Sequence, residues 1–184
     1  MSHELNEYIR KENLKLEGDG YSLDRDWLKY LLYDIESSVN EKTRILELGC
    51  GDGNSLIDIC RDSKVLASNC TGTSLQPLPN HKVMRSYGIN VKTGILSHEL
   101  PSSWTKKFDI TMTCAMLMHV HDLEQVTNEL FRVTSDNGYI LIYDLRNVVK
   151  SVENMALQRK YKIIQPRHAM IENMFGSVIQ KQSI

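Results

Sequence analysis

The stretch ILELGCGDGNS, Ile45 to Ser55, decides how the rest of this 184-residue chain is read. Ile45, Leu46 and Leu48 surround Glu47 in a short apolar run, the pattern of a buried strand. Gly49, Gly51 and Gly53 then alternate with Cys50 and Asp52. Leu56, Ile57, Ile59 and Cys60 follow at helical spacing, with Asn54 or Ser55 as the expected N-cap. Glycine at alternate positions lets the backbone take positive φ and approach a ligand closely, because no Cβ intervenes. The helix start beyond it offers unpaired N–H groups and the positive end of a dipole. Strand, glycine turn and helix opening together predict a ligand seat.

The spacing excludes two common phosphate seats. A dinucleotide fingerprint, G-x-G-x-x-G, needs glycine where Asn54 stands. A phosphate loop needs a lysine that does not follow Gly53. The order Glu47-x-Gly49-x-Gly51-x-Gly53 instead resembles the first motif of class I S-adenosylmethionine-dependent methyltransferases. The resemblance implies that Glu47, Gly49, Cys50, Gly51 and Gly53 border the methionine part of the cofactor S-adenosyl-L-methionine, whose product is S-adenosyl-L-homocysteine.

Downstream residues extend the resemblance. Phe108, Ile110, Met112 and Cys114 alternate with polar residues as a strand does, and His121-Asp122 opens a helix bearing Leu123, Val126, Leu130 and Phe131. Asp136-Asn137-Gly138 reads as a turn, and Tyr139–Leu145 as a fifth strand. Phe108-Asp109, Met118-His119-Val120, Glu129, Arg132-Val133 and Gly138 match the family pattern in order and spacing. Second and third strands are expected at Asn69–Thr73 and Asn90–Leu96, and the glycine turn supplies the end of the first. A helical face (Val148, Val149, Val152, Met155, Ala156) precedes two antiparallel strands, Tyr161–Gln165 and Gly176–Lys181, joined by a loop through Pro166 and Met174.

On the adenosine side the chain departs from the family. Ser74 stands where an acid usually takes both ribose hydroxyls, and Gly94-Ile95 replaces a glycine-aspartate pair. A serine hydroxyl is uncharged, whereas a carboxylate accepts strong charge-assisted bonds. The resemblance still places Ser74, Leu75, Ile95 and Leu96 beside the adenosine, with Cys114 and Ala115 as the far wall.

The resemblance implies that His119 is the candidate general base, and an imidazole suits proton transfer near neutral pH; a histidine that only orders the loop or packs under the helix is its other reading. Asp144 either lines the pocket or faces solvent. Met112, Met116 and Met118 fill core and pocket walls. His119 and His121 form H-x-H with no third ligand at a recognisable spacing, so no metal is expected. The segment Cys114–Leu117 lacks the proline and aromatic residues with which amine methyltransferases stack a flipped base, which points to a small-molecule acceptor.

Composition agrees. A net charge of −1 gives no global attraction to nucleic acid or anionic membrane, and Lys106–Lys107 and Arg159–Lys162 read as solvated faces. No apolar run reaches the roughly 20 residues that span a bilayer. The polar N-terminus is unlike a signal peptide. Cys50, Cys60, Cys70 and Cys114 lack C-x-x-C pairing and read as buried thiols of a cytoplasmic protein. Residues 1–20 read as a polar helix, and Ser22 or Asp24 as the cap of a second carrying Trp27, Leu28, Leu31, Leu32 and Ile35. The resemblance implies a helix over the cofactor pocket with Tyr21 and Arg25 as lid residues; a plain packing helix with Arg25 at the surface is the other reading.

The expected fold is a single α/β domain: a Rossmann-like, doubly wound, seven-stranded sheet, mostly parallel with an antiparallel last strand and helices on both faces. Residues 1–40 would form a helical cap and 41–184 the core. The expected activity is methylation of O or N on a metabolite or biosynthetic intermediate. The rival is a catalytically silent domain that binds or interacts; aminopropyl transfer is a third reading. The acceptor and oligomeric state are left open.

Overall fold

The computed structural model describes residues 26–171 and 173–183. Its elements are α1 (Asp26–Tyr33), β1 (Ile45–Glu47), α2 (Asn54–Asp62), β2 (Cys70–Ser74), α3 (His81–Ser86) and β3 (Asn90–Thr93), then β4 (Phe108–Cys114), α4 (Leu123–Val133), β5 (Thr134–Leu145), α5 (Arg146–Gln158), β6 (Lys162–Ile171) and β7 (Met174–Gln180). The strands form one seven-stranded sheet in the order β3-β2-β1-β4-β5-β7-β6. From β3 through β5 all pairs are parallel, whereas β7 runs antiparallel to both β5 and β6.

Alternation along the strands divides the core in two. Ile45, Met112, Leu141 and Val178 pack with Leu28 and Leu31 of α1, Leu56 and Ile59 of α2, and Met84 of α3. Their neighbours Leu46, Ile140, Ile142 and Ile179 pack with Val126, Leu130 and Phe131 of α4 and Val149, Val152 and Ala156 of α5. Shifting any strand by one residue would exchange these faces, so the register is fixed by two cores at once. Helices therefore cover both faces, as expected.

Element boundaries differ from the sequence reading for local reasons. Gly53, with φ 74°, occupies the N-cap of α2 and makes no side-chain capping bond, so neither Asn54 nor Ser55 caps it. Asn69 belongs to a short turn of 3-10 helix before β2 and instead donates its amide to the Glu41 carbonyl, while Ser74 extends the strand. β3 stops at Thr93 because Gly94 turns at φ 76°. The Asp136–Gly138 turn lies inside β5: Asn137 takes φ 62°, and pairing with β4 shifts between Phe108 and Ile110 around it. β6 and β7 run nearly to each other, so Met174 pairs with Leu145 and Ile171 rather than sitting in a loop. α1 ends at Tyr33, leaving Ile35 buried just beyond it. The expected first helix, the Ser22 or Asp24 cap, Tyr21, Arg25 and the Trp27 side chain lie outside the described residues.

The motif residues of the second half hold structure together. Arg132 pairs with Glu129 at 2.6 Å and donates to the carbonyl of Leu100 at 2.9 Å, while Glu129 accepts the Leu100 N–H at 2.7 Å. This clamp fastens the segment leading into β4 onto α4. Asp109 takes the Arg44 guanidinium through both oxygens, at 2.7 and 3.0 Å, and the Arg44 backbone N–H at 2.9 Å. That pair closes the amino-terminal edge of β1 and β4, away from the site.

Candidate active site

Ligands of an open α/β sheet lie beyond the carboxyl ends of its parallel strands. Along this edge each loop is pinned to the end of a neighbouring strand. Cys50 N–H donates to the Thr73 carbonyl at 2.8 Å, Gly94 N–H to the Ser74 carbonyl at 2.9 Å, and Ala115 N–H to the Tyr143 carbonyl at 2.7 Å. With Leu48 N–H, just before the turn, donating to the Met112 carbonyl of β4 at 2.9 Å, these bonds join the glycine turn and the ends of β2, β3, β4 and β5 in one rim. It brings together Gly49, Cys50, Gly51 and Gly53, then Ser74 and Leu75, Ile95 and Leu96, and Cys114 and Ala115.

The glycines of the turn are not equivalent. A Cβ on Gly51 would meet nothing within 4 Å, so this residue opens onto free space. A Cβ on Gly53 would collide with the buried Met84 side chain, so this glycine serves packing between α2 and α3. Gly51 and Gly53 both hold positive φ, at 48° and 74°. Ala115 also sits at φ 49°, a strained conformation for a residue with a Cβ, and it bends the chain sharply as it leaves β4.

Glu47 lies at the end of β1, 2% exposed. Burial pushes its carboxyl up to about 8, against a hydrogen bond from the Ser55 side chain that favours the charged form. Its Oε2 is a buried oxygen with no hydrogen-bond partner. Such an atom costs about 1–3 kcal/mol unless something reaches it. Burial raises the thiols of Cys50 and Cys114 too, with the charge of Glu47 pushing the same way. Neither is a nucleophile in this setting.

Two residues that the sequence did not single out shape the turn. Thr73 accepts the Gly49 N–H on its hydroxyl at 3.1 Å. His81, 1% exposed at the start of α3, accepts the Leu78 N–H on Nδ1 at 3.2 Å, which places its proton on Nε2, 3.0 Å from the Gly51 carbonyl. Neither carried a local signal of contact with the turn, since Gly49 and Gly51 lie on another segment.

Ser74 donates its hydroxyl proton to the Gln76 carbonyl at 2.7 Å, leaving only acceptor capacity. After β4, Leu117–His119 forms a short 3-10 turn that ends in the exposed His119. Asp144 is fully buried rather than solvent-facing: its carboxylate accepts the N–H groups of Leu145 at 2.8 Å and Met118 at 3.3 Å. Burial raises its pKa, while these bonds and the nearby His119 oppose the rise. Asp144 therefore ties the His119 turn to the end of β5. Met112 is buried, and Met116 and Met118 are half-buried against the second core. Among the described residues no group of His, Cys, Asp and Glu could hold a metal. No helix among them is long and apolar enough to cross a membrane. Cys50 and Cys70 are buried, whereas Cys60 and Cys114 are only partly so; all four are free thiols.

Comparison with known proteins agrees with the fold. Residues 39–183 match the family model of the methyltransferase domain. No curated protein matches the sequence. Among solved structures, the 1,6-didemethyltoxoflavin-N1-methyltransferase of Burkholderia thailandensis, bound to 1,6-didemethyltoxoflavin and S-adenosylhomocysteine, is similar at TM-score 0.70 and 13% identity, over 100% of this chain and 91% of that one. The N-methyltransferase NodS of Bradyrhizobium japonicum, in complex with S-adenosylhomocysteine, gives 0.67 and 12%, over 99% and 100%. The [4+2]-cyclase SpnF is as similar, at 0.68 and 11%, over 97% and 94%. One fold thus carries differently named reactions, and the likeness speaks for the fold.

Proposed function

The chain belongs to the methyltransferase domain family, enzymes whose methyl donor is S-adenosylmethionine, and on that premise we propose that it methylates O or N on a small-molecule acceptor. The observation that carries the reading is the pairing of an open backbone face at Gly51 with the unsatisfied buried oxygen of Glu47. A turn kept only for folding needs neither. The small-molecule acceptors of the similar structures, as their names give them, point the same way.

These residues fit the donor. Glu47, with Gly49, Cys50, Gly51 and Gly53, would hold its methionine part, the ionised carboxyl pairing with the ammonium. Ser74 would accept a hydrogen bond from one ribose hydroxyl in place of the family's carboxylate. Leu75, Ile95 and Leu96 would pack on the adenine, with Cys114 and Ala115 as the far wall. When bound, S-adenosylmethionine supplies an electrophilic methyl group on a cationic sulfur with a neutral leaving group. The protein then has to align the acceptor in line with that bond and exclude water. His119, on the turn held by Asp144, would take the proton that an O–H or N–H acceptor releases.

Calorimetry of the full chain with S-adenosylhomocysteine, repeated on Gly51→Arg, tests the reading. Micromolar binding that the variant abolishes is the expected result. A folded wild type that fails to bind at millimolar ligand would overturn it.

A further inference from the structure

Two thiols outside the rim stand in contact. Cys60, in the last turn of α2, places its sulfur 3.6 Å from that of Cys70, the first residue of β2. Both are free thiols, and the methyl-transfer reading uses neither. A disulfide brings its sulfurs to about 2.0 Å, so the gap to close is about 1.5 Å, shared between two side chains. The connection between them is fastened near both ends. The Ser63 N–H and hydroxyl donate to the Ile59 carbonyl at 2.9 and 2.7 Å, and the Asn69 N–H donates to the Leu66 carbonyl at 2.9 Å. Oxidation would thus join sulfurs that the folded chain already holds together.

The two sulfurs differ in what reaches them. Cys70 is fully buried, whereas Cys60 is half-buried, beside the buried Ile59. Cys60 donates its thiol proton to Cys70, and Cys70 donates in turn to the Leu66 carbonyl at 3.8 Å. Once Cys60 ionises, the Cys70 S–H can turn to the thiolate. That bond holds the Cys60 thiol below its ordinary value, against the effect of burial. The same bond, with burial and the charges of Cys60 and Glu47, pushes the Cys70 thiol up. The thiolate is the nucleophile, so the sulfur that solvent reaches is also the reactive one. Cys50 and Cys114, whose thiols burial raises, lack this help.

We propose that Cys60 and Cys70 form an oxidation site for hydrogen peroxide, Cys60 taking the attack and Cys70 closing it to a disulfide. The thiolate sulfur of Cys60 attacks one peroxide oxygen, the O–O bond breaks, and the leaving hydroxide takes a proton to become water. Cys60 is left as a sulfenic acid. The Cys70 sulfur then attacks the Cys60 sulfur, the S–O bond breaks, and the departing hydroxide takes the Cys70 proton as a second water. Two thiols have given up two electrons, and hydrogen peroxide has received them.

A thiol in contact resolves the sulfenic acid within the chain and spares Cys60 the irreversible sulfinic stage. The bond also cross-links α2, which opens at the glycine turn, to β2, whose Thr73 accepts the Gly49 N–H. It does so at the ends of both elements that lie away from the rim.

The test treats the full-length chain, reduced and freed of reductant, with a small molar excess of hydrogen peroxide and reads its intact mass. The expected result is loss of the mass of two hydrogens, restored by dithiothreitol, with peptide fragmentation placing the bond between Cys60 and Cys70. Cys60→Ser should abolish that loss. Cys70→Ala should instead gain one oxygen at Cys60, trapped by dimedone as the sulfenic acid. The wild-type peptide map decides the matter by itself if the alanine variant, at a fully buried position, does not fold. No loss of hydrogens, a bond to Cys50 or Cys114, a disulfide between two chains, or a Cys60→Ser variant that still closes a disulfide would each overturn the proposal. None of these readouts involves S-adenosylhomocysteine, so failure here leaves methyl transfer standing, and failure of methyl transfer leaves this site standing.

Discussion

The Nε2 of His81 lies 3.0 Å from the carbonyl oxygen of Gly51, a contact that spans 30 residues of sequence. It is the link by which α3 sets the height of the glycine turn. Because Nδ1 takes the Leu78 N–H, the imidazole must be the Nε2–H tautomer, with the Gly51 carbonyl as its acceptor. His81→Ala is expected to cost about 1–3 kcal/mol of stability, since it removes a buried side chain and leaves the part-buried Leu78 N–H and the Gly51 carbonyl without their partner. It should also weaken S-adenosylhomocysteine about tenfold, and His81→Gln, which retains an N–H donor, should recover part of that. Calorimetry and urea unfolding read the two effects separately; an unchanged affinity in the alanine variant would show that the turn needs no tether.

The glycines Gly51 and Gly53 should separate in mutagenesis. Gly51→Ala strains φ but touches nothing, so stability should fall by only about 1 kcal/mol while cofactor affinity drops sharply. Gly53→Ala meets the buried Met84 and should destabilise by about 2 kcal/mol or more. Thermal unfolding of both variants, compared with their S-adenosylhomocysteine affinities, checks the ordering. Equal loss of stability in the two would contradict it.

Glu47 makes stability and binding oppose each other. Its carboxyl is raised from 4.5 to about 8, so within that window the folded chain keeps a proton that the unfolded chain has lost. Stability therefore falls as pH rises through the window, by at most about 1.4 kcal/mol per pH unit. Glu47→Gln should remove this fall, becoming relatively more stable between about pH 6 and about pH 8 in urea titrations. The same variant should bind S-adenosylhomocysteine at least about tenfold more weakly, having lost the charge for the ammonium. Wild-type binding near neutral pH should release a proton, visible as a dependence of the calorimetric heat on buffer ionisation enthalpy. No proton release would mean that the ammonium is held elsewhere.

Asp109 acts in the opposite sense and at the other edge of the sheet. Burial alone would raise its carboxyl, but the Arg44 guanidinium and backbone N–H outweigh that and hold it below the usual carboxylate range. Its contribution is complete above the unfolded pKa and is lost as pH falls through the folded one, below about pH 4. With the pair about a third to a half exposed, its contribution is about 1 kcal/mol. Asp109→Asn should show that deficit at neutral pH, none in acid, and wild-type affinity for S-adenosylhomocysteine. A deficit that persists in acid would point to packing instead.

The strand–turn–helix order was legible because each piece carries a local signature: apolar runs at β1, β4 and β5, glycines at 49, 51 and 53, and Asp122 capping α4 through the Gln125 N–H. Faces followed from alternation. What local pattern could not supply was anything settled across the sheet. Gly53 and Gly51 look alike in sequence and differ only by what Met84 does from α3. His81 looks like any helix-start residue until Gly51 is brought beside it. The Asp136–Gly138 turn was absorbed into β5 by pairing with β4, which no window of the sequence displays. Asp144, read as pocket lining or surface, is buried because two loop N–H groups converge on it.

β7 is the last of the strands in sequence, yet it is an interior strand, flanked by β5 and β6. During synthesis, β5 and β6 therefore leave the ribosome with no partner between them, and the gap is filled only by a segment made later. Until then β5 exposes an unpaired edge whose apolar residues, Ile140 to Ile142, are fully buried in the finished sheet. A nascent chain paused before residue 174 thus offers an open strand edge to chaperones or to other copies of itself.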